Sequence, residues 1–492
     1  MLQRYNKEIK LVLLVSLFKL IILAFLPLTG DEAYFIKWGQ NLDWGYYDHP
    51  PMVGWLIYLM SFVAEHHMFF RLFTFFTVFI VAFVMYKIAI EYNVEQSKAF
   101  LVSLIFLVAP IDILLVLFTN DVPLLLFGSL GTLFLIYSLE KAQWLRYSLI
   151  AGLFFGMAFL SKYFAAFLML PLVFFSFYQY RFKALKNVIV VSIIVCTFIF
   201  QNLYFNYNSC WNNILFNFFA RTTESQYNIS TVLNYFALII YLFTPWGIYY
   251  LYKSRDNFEK SKILTMVLFI LLFVFLIFLL VSLKNSIGLH WFMLFLPYIY
   301  MLYLYLDEKH YEKIFFYKFI FSIIHISIVF LIIFLPHKIF EDKKFYNNII
   351  LHKYQNVVYE YLDKNYNEIY TTNYTTSAIL STVANKNIYM LFNTSKYGRM
   401  DDKLLDVREL NDRDIVLFDF SKIKKFKLEK VCQKVEQKDI YIKGAKFYIS
   451  KCDNFSYEKY KTHYLEEQKE KFYDLPDWLP VGDCYFNERY FK

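Results

Sequence analysis

A short polar stretch interrupts the apolar N-terminal part of the chain and carries side chains suited to chemistry. It reads GDEAYFIKWGQNLDWGYYDHPPMVGWLIY, residues 30–58, and holds the carboxylates Asp31, Glu32 and Asp48 and the imidazole of His49. Carboxylates and imidazoles are the groups that proteins most often use to move protons. The stretch is therefore the first candidate for a reaction site.

Helix capping explains part of this stretch without any chemistry. Thr29 and Glu32 fit the capping-box pattern S/T-x-x-E, which predicts a helix from Gly30. Asp31 in the first turn is favoured by the helix dipole. Aromatic side chains such as Trp38 suit a membrane interface, so we expect this helix to lie flat on the outer surface. Capping accounts for the acids but not for the polar cluster that follows.

The following cluster, DWGYYDHPP, predicts a rigid corner. Pro50 keeps His49 out of helical geometry, and Pro51 can begin the next helix. The corner would present Tyr47 and Asp48, together with His49, near the membrane surface. The alternative for His49 is a purely structural role, as a hydrogen-bonded residue of the corner.

The composition is that of a membrane protein. The 492 residues are 58% hydrophobic and only 18% charged, whereas a soluble domain is nearer half apolar and a quarter charged. Repeated apolar runs of about 20 residues predict a polytopic α-helical membrane protein. The net charge of +9 lies largely in short loops between spans, where it sets orientation. We therefore expect a membrane environment and no nucleic-acid partner.

The apolar runs predict about eleven transmembrane helices. Residues 51–64 are too short to cross and predict an interfacial or re-entrant helix. The predicted spans are 9–28, 69–90, 99–118, 122–139, 147–161, 163–179, 187–205, 232–251, 263–283, 287–305 and 314–335.

Lys and Arg gather on one side of these spans when the N-terminus is placed in the cytoplasm. Asp121, in TNDVPLLLF, then lies on the outer side, where it is either a turn residue before Pro123 or a second acid of the site. A cation on the outer side is an exception to this distribution and could bind an anionic group. Lys162 is notable because apolar helix flanks it on both sides, where a charge is costly unless it has a partner. The short outer segments hold Lys37, Lys162, Arg221 and Lys284, with Arg71 just inside a span.

The chain divides into a membrane domain, 1–336, and a hydrophilic domain, 337–492, which this topology places outside the membrane. We expect the outer loop 29–68 to carry the active site. Helix-like and strand-like pieces alternate in the C-terminal domain, which predicts a small extracytoplasmic α/β domain. Segments 425–435 and 438–452 read as strands joined by a turn. Cys432 and Cys452 could form a disulfide across them in an oxidising compartment, or remain free thiols.

An ordered set of motifs resembles one known family. The stretch at 30–58 looks like the first outer loop of bacterial glycosyltransferase family 39, within the GT-C membrane fold, which includes relatives of protein O-mannosyltransferases and of lipid A aminoarabinose transferases. TNDVPLLLF, GLFFGMAFLSKYFAAFLMLPL, YNSCWNNILFNF and GLHWFMLFLPY follow in the same order, so the resemblance covers roughly residues 10–305. The ordered set is far more specific than the acid pair alone.

This resemblance implies an inverting transfer of a sugar from a polyprenyl-phosphate carrier at the outer face of a bacterial inner membrane. Asp31 would be the general base that takes the proton of the acceptor hydroxyl. Lys162 and Arg221, assisted by His49, would stabilise the negative charge of the departing phosphate. The acceptor could be a lipid, a polysaccharide or a protein.

Other residues are expected to support this reaction. Asp121 would position the acceptor, or join Asp31 in holding a divalent metal, although a carboxylate metal site needs more oxygen ligands than the sequence names. His290 opens a span on the outer side. No cofactor is otherwise implied. The residues predicted to bind substrate are Glu32, Tyr47, Asp48, His49, Asp121, Lys162, Arg221 and His290.

The sequence departs from the aminoarabinose transferases at two positions. Tyr34 stands where they tend to carry Arg, and His49 stands where they carry Lys before the double proline. A transporter or flippase for a lipid-linked sugar is the alternative; it predicts charges near the bilayer midplane and internal repeats, and Lys19 is the one feature in its favour. A non-catalytic scaffold would leave the ordered polar motifs without a purpose.

Overall fold

The computed structural model describes residues 3–220, 227–392, 399–473, 475–476 and 478–492. Two units are formed by the contacts within the chain. The first comprises Met1–Phe25, Met68–Asn202 and Thr222–Ile332, and the second comprises Leu26–His67, Leu203–Arg221 and Ile333–Lys492. The second unit therefore joins the C-terminal segment to two loops that the sequence places between spans.

Long apolar helices build the first unit, because a helix satisfies its own backbone hydrogen bonds where lipid offers no partners. Among the described residues, six helical segments are long and apolar enough to cross a membrane, or up to eight if each of two bent pairs is one span. A multi-pass membrane protein is thus confirmed. The α-helices of this unit are Asn6–Phe25, His67–Glu91, Gln96–Leu107, Asp121–Glu140, Trp144–Ser161, Ala166–Tyr180, Leu185–Tyr207, Ile229–Phe243, Pro245–Lys253, Lys262–Ser282, Leu296–Met301 and Glu308–Phe334.

Several predicted spans are helical but are interrupted or shortened. The spans predicted at 163–179 and 187–205 lie in one helical stretch of 45 residues, Tyr163–Tyr207. In the span predicted at 99–118, the α-helix stops at Leu107 and a 3-10 segment begins at Pro110. Proline has no backbone N–H to donate, so a continuing α-helix would lack a hydrogen bond there. The span at 287–305 is a run of short helices with 3-10 segments at both ends.

Charges within the first unit are buried in pairs or against backbone. Lys19, the residue that favoured transport, lies 3.5 Å from Asp112 (Nζ to Oδ2), and both side chains are almost fully buried. Arg71 donates from Nη1 to the carbonyl of Leu23 at 3.0 Å. Lys19 is therefore paired with a neighbouring segment.

The second unit contains a four-stranded mixed sheet in the order β1-β2-β4-β3. The strands are β1 (Tyr370–Thr371), β2 (Ile415–Asp419), β3 (Cys432–Ile442) and β4 (Ala445–Phe455); β1 is parallel to β2, and the other pairs are antiparallel. The α-helices of the unit are Gly30–Gln40, Met52–Ser61, Asn212–Ile214, Tyr346–Lys353, Gln355–Asn365, Tyr374–Ala384, Met400–Leu404, Lys425–Glu429, Tyr457–Tyr460, Glu466–Gln468 and Tyr485–Tyr490.

The α/β character of the C-terminal segment is confirmed, with two local corrections. Lys443 and Gly444 have positive φ angles of 48° and 81° and form the two-residue turn between β3 and β4. The turn therefore lies inside the predicted segment 438–452 and not between residues 435 and 438. The strand predicted from residue 425 is wrong at its start, because Lys425–Glu429 is a short helix and the strand begins at Cys432. The chain reverses there before it enters the sheet.

Two disulfides lie in the second unit. Cys432 and Cys452 are bonded across β3 and β4, so the disulfide is observed and the free-thiol alternative is not. Cys210 and Cys484 form a second bond, which joins residues 274 positions apart and was not predicted. Cys196, in a membrane helix of the first unit, is free.

Candidate active site

The predicted capping box at the start of the Gly30–Gln40 helix is present. The backbone N–H of Glu32 donates to Thr29 Oγ1 at 3.4 Å, and Glu32 Oε2 accepts from the backbone N–H of Thr29 at 3.3 Å. Glu32 is 3% exposed. Glu32 therefore has a structural role as a cap, and its predicted role in substrate binding stays a prediction.

Gly30 lets this helix approach a second helix closely. A Cβ at residue 30 would come within 2.4 Å of Thr375 Cβ, so any larger residue would push the two helices apart. The second helix, Tyr374–Ala384, begins where Asn373 accepts hydrogen bonds from the N–H groups of Thr375 and Thr376. The close approach brings the first residue of each helix together.

Asp31 lies at this contact with its carboxylate exposed to solvent. The hydroxyl of Tyr374 donates to Asp31 Oδ1 at 3.1 Å. Burial, followed by the charge of Asp31, raises the pKa of Tyr374 to about 12, so the hydroxyl keeps its proton and remains a donor at neutral pH. Tyr374 thereby fixes the orientation of the carboxylate that the sequence singled out as a base.

The predicted corner at Tyr46–His49 is held by side chains from the segment Leu203–Arg221. Asn213 donates to the carbonyl of Tyr46 at 2.6 Å, and Asn217 donates to the carbonyl of Asp48 at 3.0 Å. Tyr47 is 4% exposed and packs against Phe216. The predicted next helix begins at Met52, one residue after Pro51. Asp48 and His49 are partly buried.

The helix that carries Asp31 is buried rather than laid on a surface. Trp38 is 0% exposed and stacks on Tyr46 with ring centroids 4.2 Å apart. Tyr34 is 2% exposed and contacts Tyr374 edge to face. The expectation of a flat interfacial helix is thus corrected: its aromatic residues pack within the protein. The apolar helix predicted at 51–64 is formed as Met52–Ser61.

An arginine that the sequence did not single out lies beside this cluster. Arg399, at the N-terminal end of the helix Met400–Leu404, is 1% exposed. Its guanidinium carbon is 3.6 Å from the centre of the Tyr374 ring, 5.4 Å from that of Tyr34 and 6.0 Å from that of Tyr47. Burial lowers the pKa of Arg399, whereas the nearby Tyr34 and Asp48 raise it. The second effect is the larger, so the pKa lies above its usual value.

A buried ion pair ties the Asp31 helix to the segment that carries Arg399. Lys37 is 0% exposed and forms an ion pair with Asp401, which also accepts from Ser377 Oγ at 3.1 Å. Lys37 was one of the outer cations expected to meet something anionic. Its anion is a side chain of the same unit, so Lys37 serves the structure of the cluster.

The remaining predicted residues lie in the first unit or outside the described residues. Lys162 ends the helix Trp144–Ser161 and donates from Nζ to Asp121 Oδ1 at 2.8 Å; each of these residues is 7% exposed. Asp121 is thus the partner of a buried lysine rather than a mere turn residue. His290 is exposed in a 3-10 segment. Arg221, predicted to contact phosphate, lies outside the described residues.

The described part of the chain was also compared with the requirements of a metal site. No group of three or more His, Cys, Asp or Glu residues is arranged there to hold an ion.

Sequence comparison finds likeness to sugar transferases. Residues 48–205, under half of the chain, match the family described as dolichyl-phosphate-mannose-protein mannosyltransferase. A lipid A galacturonosyltransferase, RgtD, of Rhizobium johnstonii is 25% identical over 246 residues, which is 48% of this chain. The chain spans about half the length of that relative, 51%.

Structural comparison extends the likeness over most of the chain. ArnT from Cupriavidus metallidurans, bound to undecaprenyl phosphate, superposes with a TM-score of 0.62 at 13% identity, covering 91% of this chain and 98% of that one. The same protein in its apo state gives a TM-score of 0.63 at 11% identity with the same coverage. At these identities the likeness shows the fold. The resemblance to the GT-C glycosyltransferases found in the sequence is confirmed.

Proposed function

We propose that this chain, whose fold is that of a GT-C membrane glycosyltransferase, transfers a sugar from a polyprenyl-phosphate carrier to an acceptor hydroxyl. The observation that carries the proposal is the exposed carboxylate of Asp31, held by Tyr374 at the start of a capped helix. The match to a dolichyl-phosphate-mannose family and the fold shared with a protein solved with undecaprenyl phosphate support this donor class.

Asp31 would act as the general base of an inverting displacement. The acceptor O–H gives its proton to the carboxylate while the oxygen attacks the anomeric carbon, the bond from that carbon to the phosphate oxygen breaks, and polyprenyl phosphate leaves with the electron pair. Fixing the base in one orientation makes the attack effectively intramolecular. Since Asp31 is exposed, the bound substrates themselves would exclude water from it.

Cations would stabilise the phosphate as it departs. We assign this role to Lys162 and Arg221, with His49 assisting, and we assign to Asp121 the orientation of Lys162, whose Nζ it holds at 2.8 Å. Glu32, Tyr47, Asp48 and His290 remain proposed contacts of the substrates.

The proposed reaction takes place on the outer face of a bacterial inner membrane. Disulfides persist in oxidising compartments, and both disulfides of the second unit support a periplasmic or extracellular location for it. The positive-inside bias supports a cytoplasmic N-terminus. We retain 1–336 as the membrane domain and 337–492 as the outer domain. In a Cys196→Ser background, a membrane-impermeant thiol reagent should label Lys422→Cys in intact spheroplasts but not Asp256→Cys; the reverse pattern would reject this orientation.

The acceptor class follows from a weaker argument. The relative from Rhizobium johnstonii acts on lipid A, as its name states, which supports a lipid-borne hydroxyl as acceptor. The turnover assay should therefore also include polysaccharide and protein acceptors.

The decisive test is turnover by purified protein with a panel of polyprenyl-phosphate sugars and acceptors. Asp31→Asn keeps the size and hydrogen-bonding capacity of the side chain but removes the base, so we expect a loss of about 10²- to 10⁴-fold in kcat. Glu65→Gln removes an exposed acid elsewhere in the same loop and should leave turnover unchanged. Full activity of Asp31→Asn would reject this mechanism.

A further inference from the structure

Arg399 is buried without the partners that a buried arginine requires. Its Nε and Nη1 atoms are inaccessible to solvent and make no hydrogen bond to any residue that the structure describes. Arginine does not lose its proton in proteins, so it cannot escape this cost by becoming neutral. An unsatisfied buried donor destabilises the folded state, and a charged one does so more strongly. Such a group in a folded protein needs an explanation, and a ligand is one.

Another arginine of the same unit shows how a structural guanidinium is satisfied. Arg489 donates from Nη1 to the carbonyl of Leu405 at 2.9 Å and from Nη2 to that of Lys403 at 3.0 Å. Lys37, the buried cation nearest in sequence to Asp31, has Asp401 as its partner. Arg399 differs from both, because aromatic faces surround its charge and two of its nitrogens have no acceptor among the described atoms.

One further polar atom at this place, the acceptor Asp48 Oδ1, also lacks a hydrogen bond within the described part of the chain. The Tyr34 hydroxyl interacts with the side chain of Trp38. Asp48 interacts electrostatically with Arg399 and with Tyr34. A planar donor fork, a carboxylate oxygen and a hydroxyl thus stand together among the rings of Tyr34, Tyr47 and Tyr374. Aromatic faces with a few convergent polar groups are typical of small-molecule sites.

The chemistry of these groups defines the ligand. The open Nε and Nη1 donors of Arg399 point in different directions, so each would donate to a separate oxygen, and their positive charge favours an oxyanion such as a carboxylate or a phosphate. Asp48 Oδ1 accepts from a hydroxyl. Since the ring of Tyr374 lies on Arg399 while its hydroxyl holds Asp31, the oxyanion would bind next to the proposed base. A sugar that carries an oxyanion offers hydroxyls and a charge within one small molecule.

We propose that Arg399, with Asp48 and Tyr34, forms a subsite for an oxyanion carried by the sugar substrate, either a carboxylate on the sugar or the phosphate that links it to the carrier. This inference rests on the proposed function, because it takes the Asp31 site to be one that handles sugars. It adds to the proposed site a binding residue from the C-terminal segment. It also adds a substrate class, sugars that carry a negative charge on the sugar or on its linking phosphate.

Binding to the purified full-length protein tests the subsite with three probes. They are polyprenyl phosphate without sugar, polyprenyl phosphate carrying a uronic acid, and polyprenyl phosphate carrying a neutral hexose. Loss of a charge-assisted contact in Arg399→Gln should weaken binding about 10- to 100-fold. If only the uronic acid probe is weakened, the subsite binds the sugar carboxylate. If all three are weakened alike, it binds the phosphate. Unchanged binding of all three overturns the proposal.

Matched variants separate binding from folding. Arg408→Gln removes the same charge from an exposed arginine paired with Asp406 in the same unit and should change none of the three affinities. Arg399→Lys keeps the charge but loses the fork, so its binding should be intermediate between wild type and Arg399→Gln. If Arg399→Gln does not fold, the lysine variant decides: binding equal to wild type for every probe overturns the proposal.

Turnover distinguishes this inference from the proposed function. If the wild-type protein transfers no sugar from any donor while binding still depends on Arg399, the proposed function fails and the subsite stands. If Asp31→Asn abolishes turnover while Arg399→Gln binds and turns over every donor normally, the function stands and the subsite fails.

Discussion

The membrane helices and the cluster around Asp31 differ in how closely buried cations are matched by carboxylates. In the first unit, Lys19 is paired with Asp112 and Lys162 with Asp121, at 3.5 and 2.8 Å, although neither oxygen of Asp112 makes a hydrogen bond to a described residue. In the second unit, two nitrogens of Arg399 and one oxygen of Asp48 have no hydrogen-bond partner among the described residues.

The apolar environment accounts for the pairing in the first unit, and the proposed ligand would account for the open groups in the second. A charge between apolar helices is costly unless it is partnered, so the chain supplies the counter-charge itself. The cluster in the second unit has such pairs as well, Lys37 with Asp401 among them, yet leaves other groups open. These open groups are the ones that the proposed subsite would use.

The largest effect on stability is expected from breaking a pair in the first unit. Lys162→Met would leave Asp121 buried without its counter-charge, which should cost about 3–5 kcal/mol of unfolding free energy. Replacing both residues, as Lys162→Met with Asp121→Leu, removes the uncompensated charge and should recover most of the loss. Thermal unfolding in detergent measures both variants, and a double variant as unstable as the single one would contradict the pairing.

The next largest effect should come from the covalent bond in the sheet. Cys432 and Cys452 close a loop of 20 residues, and opening it as Cys432→Ser with Cys452→Ser should cost about 3 kcal/mol. Cys196→Ser, which alters the free cysteine of the membrane helices, is the control and should unfold like the wild type. Equal unfolding temperatures for all three proteins would show that the bond does not stabilise the second unit.

Local patterns were sufficient to predict much of this protein. The capping box at Thr29 and the helix from Gly30 depend on residues close in sequence, and both are found. Eleven spans were predicted, whereas six helical segments of the described residues, or up to eight with the bent pairs, are long and apolar enough to cross a membrane. The bond between Cys432 and Cys452 also lies within one hairpin. Such features follow from periodicity and turn chemistry alone, because the partners are near neighbours along the chain.

The sequence did not reveal the contacts that complete the candidate site. Tyr374 is 343 residues from Asp31, and Asp401 is 364 residues from Lys37. Arg399 lies in KYGRM, which has no periodicity that would mark it. One signal was available in retrospect: Tyr34 replaces an Arg that related transferases tend to carry, and Arg399 lies over the Tyr34 ring. A missing charge at one position predicts that another part of the chain supplies it.

A smaller effect is expected from removing the open charge itself. Arg399→Met gives up the contact with the Tyr374 ring but also relieves an unsatisfied buried cation, so unfolding free energy should change by less than about 1 kcal/mol. Lys37→Met is the matched control, because it leaves Asp401 buried and unpaired and should cost about 3–5 kcal/mol. Equal losses in the two variants would mean that Arg399 is a structural residue like Lys37.

The last effect is on the pH dependence of stability, and it concerns the acid that caps the Arg399 helix. Asp402 accepts from the backbone N–H of Arg399 at 3.3 Å, and burial, followed by the charge of Asp401, raises the pKa of Asp402 to about 7. Because the folded state holds this proton more tightly than the unfolded chain does, the stabilisation is complete below about pH 4 and is lost as pH rises through 7.

The slope should not exceed about 1.4 kcal/mol per pH unit, the limit for one proton, and solvent at this half-buried site should reduce it further. Asp402→Asn should flatten the dependence of unfolding free energy on pH between 4 and 7, whereas Asp406→Asn, at an exposed ion pair of the same unit, should leave that slope in place. A wild-type protein that grows more stable across this range, with the slope unaffected by Asp402→Asn, would show that Asp402 is ionised throughout and that the cluster around Arg399 already contains the negative charge it needs.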